Sequence, residues 1–209
     1  MTPDPESVLE FWFGDDLDSA AAVEARARQW FEADAAFDDR IRERFSDLPA
    51  RAQAGELDGW RGAARSSLAL VLVLDQLPRN LHRDSARSFA YDPLAHEACV
   101  SAIAHGFDAQ LEPLQAMFLY LPLEHAEDVE SQRRCVSLLR ALVARAPSEL
   151  RPRFESFLDY GIRHQQVIER FGRFPHRNAV LGRTSTPAEL SHLESGGDAF
   201  GVTRDRPGR

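Results

Sequence analysis

The chain contains no lysine: all 25 of its basic residues are arginine. That absence removes whole mechanisms, because a Walker phosphate loop, a kinase-type phosphate lysine and a Schiff-base enzyme each need an ammonium at a fixed place. Cysteine is scarce as well. Cys99 and Cys135 stand far apart, form no Cys-x-x-Cys motif and fall in helical stretches, which predicts reduced, buried thiols rather than a disulfide or a redox pair. Long apolar runs are missing. The longest, Leu68 to Leu74, is far short of the roughly 20 residues that span a bilayer. The first ten residues carry Asp4, Glu6 and Glu10 and no basic segment, so no secretory leader is expected and the protein reads as cytoplasmic. A net charge of −8 argues against a nucleic-acid partner.

What is present is an ordinary globular composition, 44 % apolar and 28 % charged, over 209 residues. The expected organisation is a single helical domain over 1–195 followed by a polar, flexible tail over 196–209. No window alternates apolar and polar residues between Asn-Gly or Asp-Gly turns, so no sheet is expected. Helix signals recur instead. Asp4-Pro5 starts one helix that Gly14 stops, Ser19 opens a second, and Asp34 caps a third in which Phe37, Ile41, Phe45 and Leu48 share a face and which Gly55 ends. Trp60 to Leu77 reads as the central buried helix, stopped by Pro78. Asp92-Pro93 and Glu112-Pro113 repeat the cap signature, and a further helix begins near Ala126 with Glu127 and Asp128 in its first turn and Val129, Gln132, Val136, Leu139 and Val143 as its stripe. A long helix from Pro152 to Phe171 precedes Gly172, and Thr186-Pro187-Ala188-Glu189 is a capping box. The fold class predicted is an all-α, irregular multi-helix bundle.

Three clusters put polar residues where these apolar stripes predict none. They are Asp75-Gln76-Leu77-Pro78-Arg79-Asn80 at the end of the central helix, then Leu121-Pro122-Leu123-Glu124-His125 at a junction that Pro122 marks, then His164 with Phe171-Gly172-Arg173-Phe174-Pro175-His176-Arg177-Asn178. Burying such groups costs free energy unless each finds a partner, so they must satisfy one another or face a ligand. The segment Arg163 to Arg183 holds five arginines against one acid, while residues 1–60 carry a net −9, which sharpens the case for an anion near the third cluster.

These three strings, with Phe11-Trp12-Phe13-Gly14, Trp30-Phe31 and Arg183-Thr184-Ser185-Thr186, closely resemble the DUF924 family of bacterial proteins from about Val8 to Leu193. One departure is Leu77, where the family more often has phenylalanine. The resemblance implies an all-α fold grouped with the tetratricopeptide-like superfamily, and it implies no established activity.

Two functional readings follow. In the first, a partly buried pocket binds a small anionic metabolite, with His125 or His164 as acid or base, Glu124 or Asp75 orienting it, and Arg79, Asn80, Arg173, His176, Arg177 and Asn178 holding the ligand. In the second, a groove between helices holds a peptide of a protein partner, by analogy with the superfamily alone. Each cluster also has a structural reading: Asp75 and Arg79 at i,i+4 as an internal ion pair, His125 as a helix cap, His164 as a core histidine. No metal is expected, since His-Glu-x-x-His and Glu-x-x-His spacings are absent, and no cofactor is indicated.

Overall fold

The structure, a computed structural model, describes residues 4–14 and 20–200, and these form helices and turns without a strand. The expected start at Ser19 lies outside the described residues. Helix α1 (Pro5–Phe13) begins on Asp4, whose carboxylate accepts from Glu6 N at 3.0 Å, and ends on Gly14 at φ +69°, a conformation glycine adopts without strain. Its buried face packs on α8 (Pro113–Glu124). The Phe118 ring lies 5.8 Å from Trp12, 5.4 Å from Phe13 and 4.8 Å from Trp30 of α2 (Ala20–Phe31), all edge to face. Trp30 Nε1 donates to Trp12 O at 2.9 Å, so the polar edge of the indole is satisfied inside the cluster.

Asp34 caps α3 (Ala35–Phe45) as expected, accepting from Phe37 N at 3.1 Å. The helix does not run on to Gly55. It stops at Ser46, and α4 (Leu48–Gln53) restarts with Pro49 in its first turn, where a missing N–H is harmless.

The central helix departs further from the reading of Pro78 as a stop. After a 3₁₀ turn at Asp58–Gly62, α5 (Ala64–Val71) passes into a π turn, Leu72–Gln76, in which Leu77 N–H donates to Leu72 O, and α6 (Leu77–Leu81) continues beyond it. Pro78 therefore falls in the first turn of a new segment. The wider turn ahead of it absorbs the proline and rotates the polar face of Asp75, Gln76 and Arg79 relative to α5.

A 3₁₀ turn at Ala86–Phe89 leads to α7 (Asp92–Ala104), and α8 is buried from Leu114 to Glu124. Pro122 lies inside α8, not at a junction. Only the following residues, His125 to Asp128, turn the chain into α9 (Val129–Arg145), which starts on the Asp128 carboxylate rather than at Ala126. Helix α9 packs on α8 and on α10 (Arg151–Phe171), which ends at Gly172 in the left-handed conformation. A 3₁₀ turn, Pro175–Arg177, and α11 (Pro187–Glu194) with its Thr186–Glu189 capping box complete the described chain. Cys99 and Cys135 are buried free thiols. Among the described residues no helix is long and apolar enough to cross a membrane.

Candidate functional site

Asp75 is wholly buried in the π turn, and its carboxylate is the hub of the polar residues. Gln76 Nε2 donates to Oδ2, His125 Nδ1 lies 2.8 Å from Oδ1, and Arg79 Nη1 lies 3.3 Å from Oδ1. Burial opposes ionisation of Asp75, but Arg79 and His125 outweigh it and hold the carboxyl well below the usual carboxylate range. A carboxylate facing Nδ1 fixes the proton there in the neutral ring. The His125 Nε2 lone pair is thereby left as the basic position. Burial and the Arg79 charge keep that imidazole below its ordinary value against the pull of Asp75.

His125 terminates α8, donating its backbone N–H to Leu121 O at 2.9 Å. Its turn is clamped from α9 by Gln132, whose fully buried amide donates to Glu124 O and, at 2.8 Å, to Ala126 O. On the other side of the turn Arg177 Nη1 donates to His125 O at 3.1 Å.

Glu124 faces α10. A Cβ added at Gly161 would lie 3.2 Å from Glu124 Oε2 and 2.7 Å from Leu139 Cδ1, so the absent side chain is what lets α10 close over the carboxyl. One turn on, His164 Nδ1 lies 3.5 Å from Glu124 Oε1 and hydrogen-bonds Tyr160 O at 3.0 Å. Burial, with the Asp75 charge adding to it, pushes Glu124 up to about 8, while burial holds His164 well below its ordinary value. Near neutral pH the pair is therefore a carboxylic acid beside a neutral imidazole.

Arg79 also bridges to Asp92 at the start of α7, Nη1 to Oδ1 at 3.0 Å and Nη2 to Oδ2 at 3.2 Å. Asp92 is thus a site residue and not the helix cap that Asp92-Pro93 suggested; Tyr91 holds the N-cap position. Arg177 Nη1 reaches the same carboxylate at 3.5 Å. Arg177 is 6 % exposed, and its guanidinium lies over the rings of Phe89 and Phe174, 4.6 and 4.5 Å from the two ring centres. Arg177 Nε is buried with no hydrogen-bond partner. Burial, then repulsion from Arg79, lowers this guanidinium to about 10. His176 is held neutral, its value down to about 3 through burial and the Arg177 charge, and its Nδ1 is likewise buried without a partner.

The structure therefore brings Asp75, Arg79, Glu124, His125, His164, His176 and Arg177 into one centre and adds Asp92. It does not bring the other three nominated residues there. Asn80 Nδ2 donates to Asp38 Oδ1 at 2.8 Å, tying α6 to α3. Arg173 makes a two-pronged pair with Glu189, Nε to Oε1 at 2.6 Å and Nη2 to Oε2 at 2.9 Å. Asn178 accepts from Arg183 Nε and donates to Ser185 Oγ, both at 3.0 Å. Arg183 in turn pairs with Glu127, whose carboxylate also accepts from Phe174 N at 2.8 Å, so these polar groups fix the loop that presents His176 and Arg177. Asp92 and Gln132 were missed as site residues. The first was hidden by a cap-like Asp-Pro pair, and the second lay in the expected stripe of α9 as one polar residue among apolar ones.

In charge the centre balances: Asp75 and Asp92 against Arg79 and Arg177, with Glu124 and three imidazoles neutral near pH 7. A surface cavity of about 300 Å³, lined by residues such as Val23, Leu150 and Arg153, lies elsewhere. No group of three metal-ligating side chains occurs among the described residues.

A buried acid–imidazole–guanidinium centre within an all-helical chain is the class of protein this structure defines. Residues 8–197 match the bacterial proteins of unknown function DUF924, and the chain belongs to that family. It is similar to the solved structure of a protein of unknown function from Agrobacterium tumefaciens, with 39 % identity, a TM-score of 0.77, and coverage of 92 % of this chain and 97 % of that one. Comparison with curated proteins gives no match.

Proposed function

We propose that this centre binds a small anionic metabolite, with a carboxylate or phosphate on Arg177 and His125 as general base. The observation that carries the reading is the Arg177 guanidinium: buried, lying over two rings, hydrogen-bonded through Nη1, and with Nε unpartnered. A buried donor left without an acceptor costs about 1–3 kcal/mol, and more for a charged group, and an anion's oxygens are the natural acceptors for that edge.

In this reading the Asp75 carboxylate orients the ring of His125 and stabilises the imidazolium formed when Nε2 takes a proton. Glu124, protonated up to about pH 8, can return a proton at neutral pH. The peptide-groove alternative has less support: the large apolar side chains exposed among the described residues are Phe31, Tyr160 and Leu190, and they do not make a long groove.

A thermal-shift screen with acetate, citrate and inorganic phosphate tests the proposal. The wild-type chain should gain several degrees from at least one of them, and Arg177→Gln should gain nothing. Equal shifts in both proteins would overturn it.

A further inference from the structure

One ring in this region comes from outside the three polar clusters. Phe200 lies in the segment that follows α11, and its ring stacks on His164 with centroids 3.5 Å apart and planes 22° apart. Tyr160 at 5.4 Å, His176 at 5.5 Å and Phe174 at 5.8 Å present their rings to it close to edge on. Four aromatic rings around a fifth form a box for a flat group, and His164 at its floor is buried beneath Phe200.

Phe200 is held in a strained backbone: it is at φ +43°, a left-handed conformation that disfavours a side chain of this size. Ties of the segment include Gly197 N–H donating to His192 O and a partly exposed Arg163–Asp198 pair at 3.3 Å. Exposed pairs of that kind contribute little. The box itself is built on α10 and on the loop held by Arg183 and Glu127. Phe174 is a wall of both compartments: one contact is the Phe200 ring, the other the Arg177 guanidinium at 4.5 Å. The unpartnered His176 Nδ1 adds a polar atom at the same place.

We propose that this box is the subsite for a planar aromatic part of the ligand, that Phe200 occupies it as a displaceable plug, and that the ligand class is therefore an aromatic anion. The inference rests on the anion reading of Arg177 and narrows it. A ring in the box and a charged group on Arg177 share the Phe174 wall, so one molecule spans both.

Calorimetric titration of the full chain with benzoate, acetate and benzamide tests it. Phe200→Ala should bind benzoate about tenfold more tightly than wild type, because the competent open form no longer has to be reached first. Acetate affinity should be unchanged by that substitution, and Arg177→Gln should abolish both. Asp198→Asn, which loosens the segment and leaves the packing of Phe200 intact, should give a smaller gain for benzoate. Unchanged benzoate affinity in both Phe200→Ala and Asp198→Asn, with acetate still bound through Arg177, overturns the plug and leaves the anion site standing. Benzamide binding Phe200→Ala as tightly as benzoate does, with Arg177→Gln without effect, overturns the anion site instead.

Discussion

His125 Nδ1 and Asp75 Oδ1 are 2.8 Å apart although fifty residues separate them in sequence. The contact joins the π turn of the central helix to the end of α8 and sets the tautomer of His125, while Arg79, with His125 after it, keeps Asp75 ionised against its burial. Replacing Asp75 by asparagine keeps the shape and deletes the charge that faces Arg79 and His125. Guanidinium unfolding should show a loss of about 1–3 kcal/mol, the cost of a weakened buried polar contact, because Arg79 keeps its second pair with Asp92. Asp75→Asn combined with Arg79→Met should cost clearly less than the sum of the single changes, and strict additivity would contradict the pairing.

Glu124 gives the fold a pH dependence of definite sign. Its folded-state value, about 8, lies above the ordinary 4.5, so the folded chain keeps a proton that the unfolded chain releases. The stability from this group is complete below about pH 4.5 and is lost as pH rises through 8. The difference in melting temperature, wild type minus Glu124→Gln, should therefore fall steadily between pH 5 and 8.5. Parallel curves for the two proteins would remove Glu124 as a buried acid.

His164 and His176 act in the opposite direction. Both are held below their ordinary value in the folded chain, His176 to about 3, so below pH 6.5 the unfolded chain takes up protons that the folded one refuses. Acidification from pH 7 to 5 should destabilise wild type more than His176→Gln, measured by the same melting curves.

Gly161 leaves no room for a methyl between α10 and the side chains it covers. The added methyl of Gly161→Ala would meet Leu139 Cδ1 at 2.7 Å and Glu124 Oε2 at 3.2 Å, so both side chains would have to shift. The expected cost is about 1–3 kcal/mol, against the small gain that alanine normally brings inside a helix. A more stable variant in chemical denaturation would contradict the close packing.

Much of this was legible before any coordinates. The Asp34 cap, the Thr186 box and the Asp75–Arg79 spacing are local signals, and each appears in the structure where its residues predict it. The convergence of the three polar strings was also readable, because buried charges have to meet. Two prolines misled in the same way: Pro78 reads as a helix end and Pro122 as a junction, yet a π turn accommodates one and the interior of α8 the other. Asp92 looked like a cap because the sequence cannot show that Arg79 and Arg177 lie across from it. Asn80, Arg173 and Asn178 looked like ligand contacts because their partners, Asp38, Glu189 and Ser185, are distant or ordinary residues with no pattern of their own. Nor does any spacing connect Phe200 to His164; only the folded path of the chain stacks the two rings.

The central claim is that the Arg177 guanidinium is an anion-binding group, and its own Nε–Hε resonance in a ¹⁵N-labelled chain reports on that directly. Assigned by its disappearance in Arg177→Gln, this signal should move saturably when acetate or inorganic phosphate is added, while the resonances of surface arginines such as Arg42 and Arg133 drift weakly and without saturation. An Arg177 signal that stays in place, or that drifts only as the surface arginines do, would contradict the account.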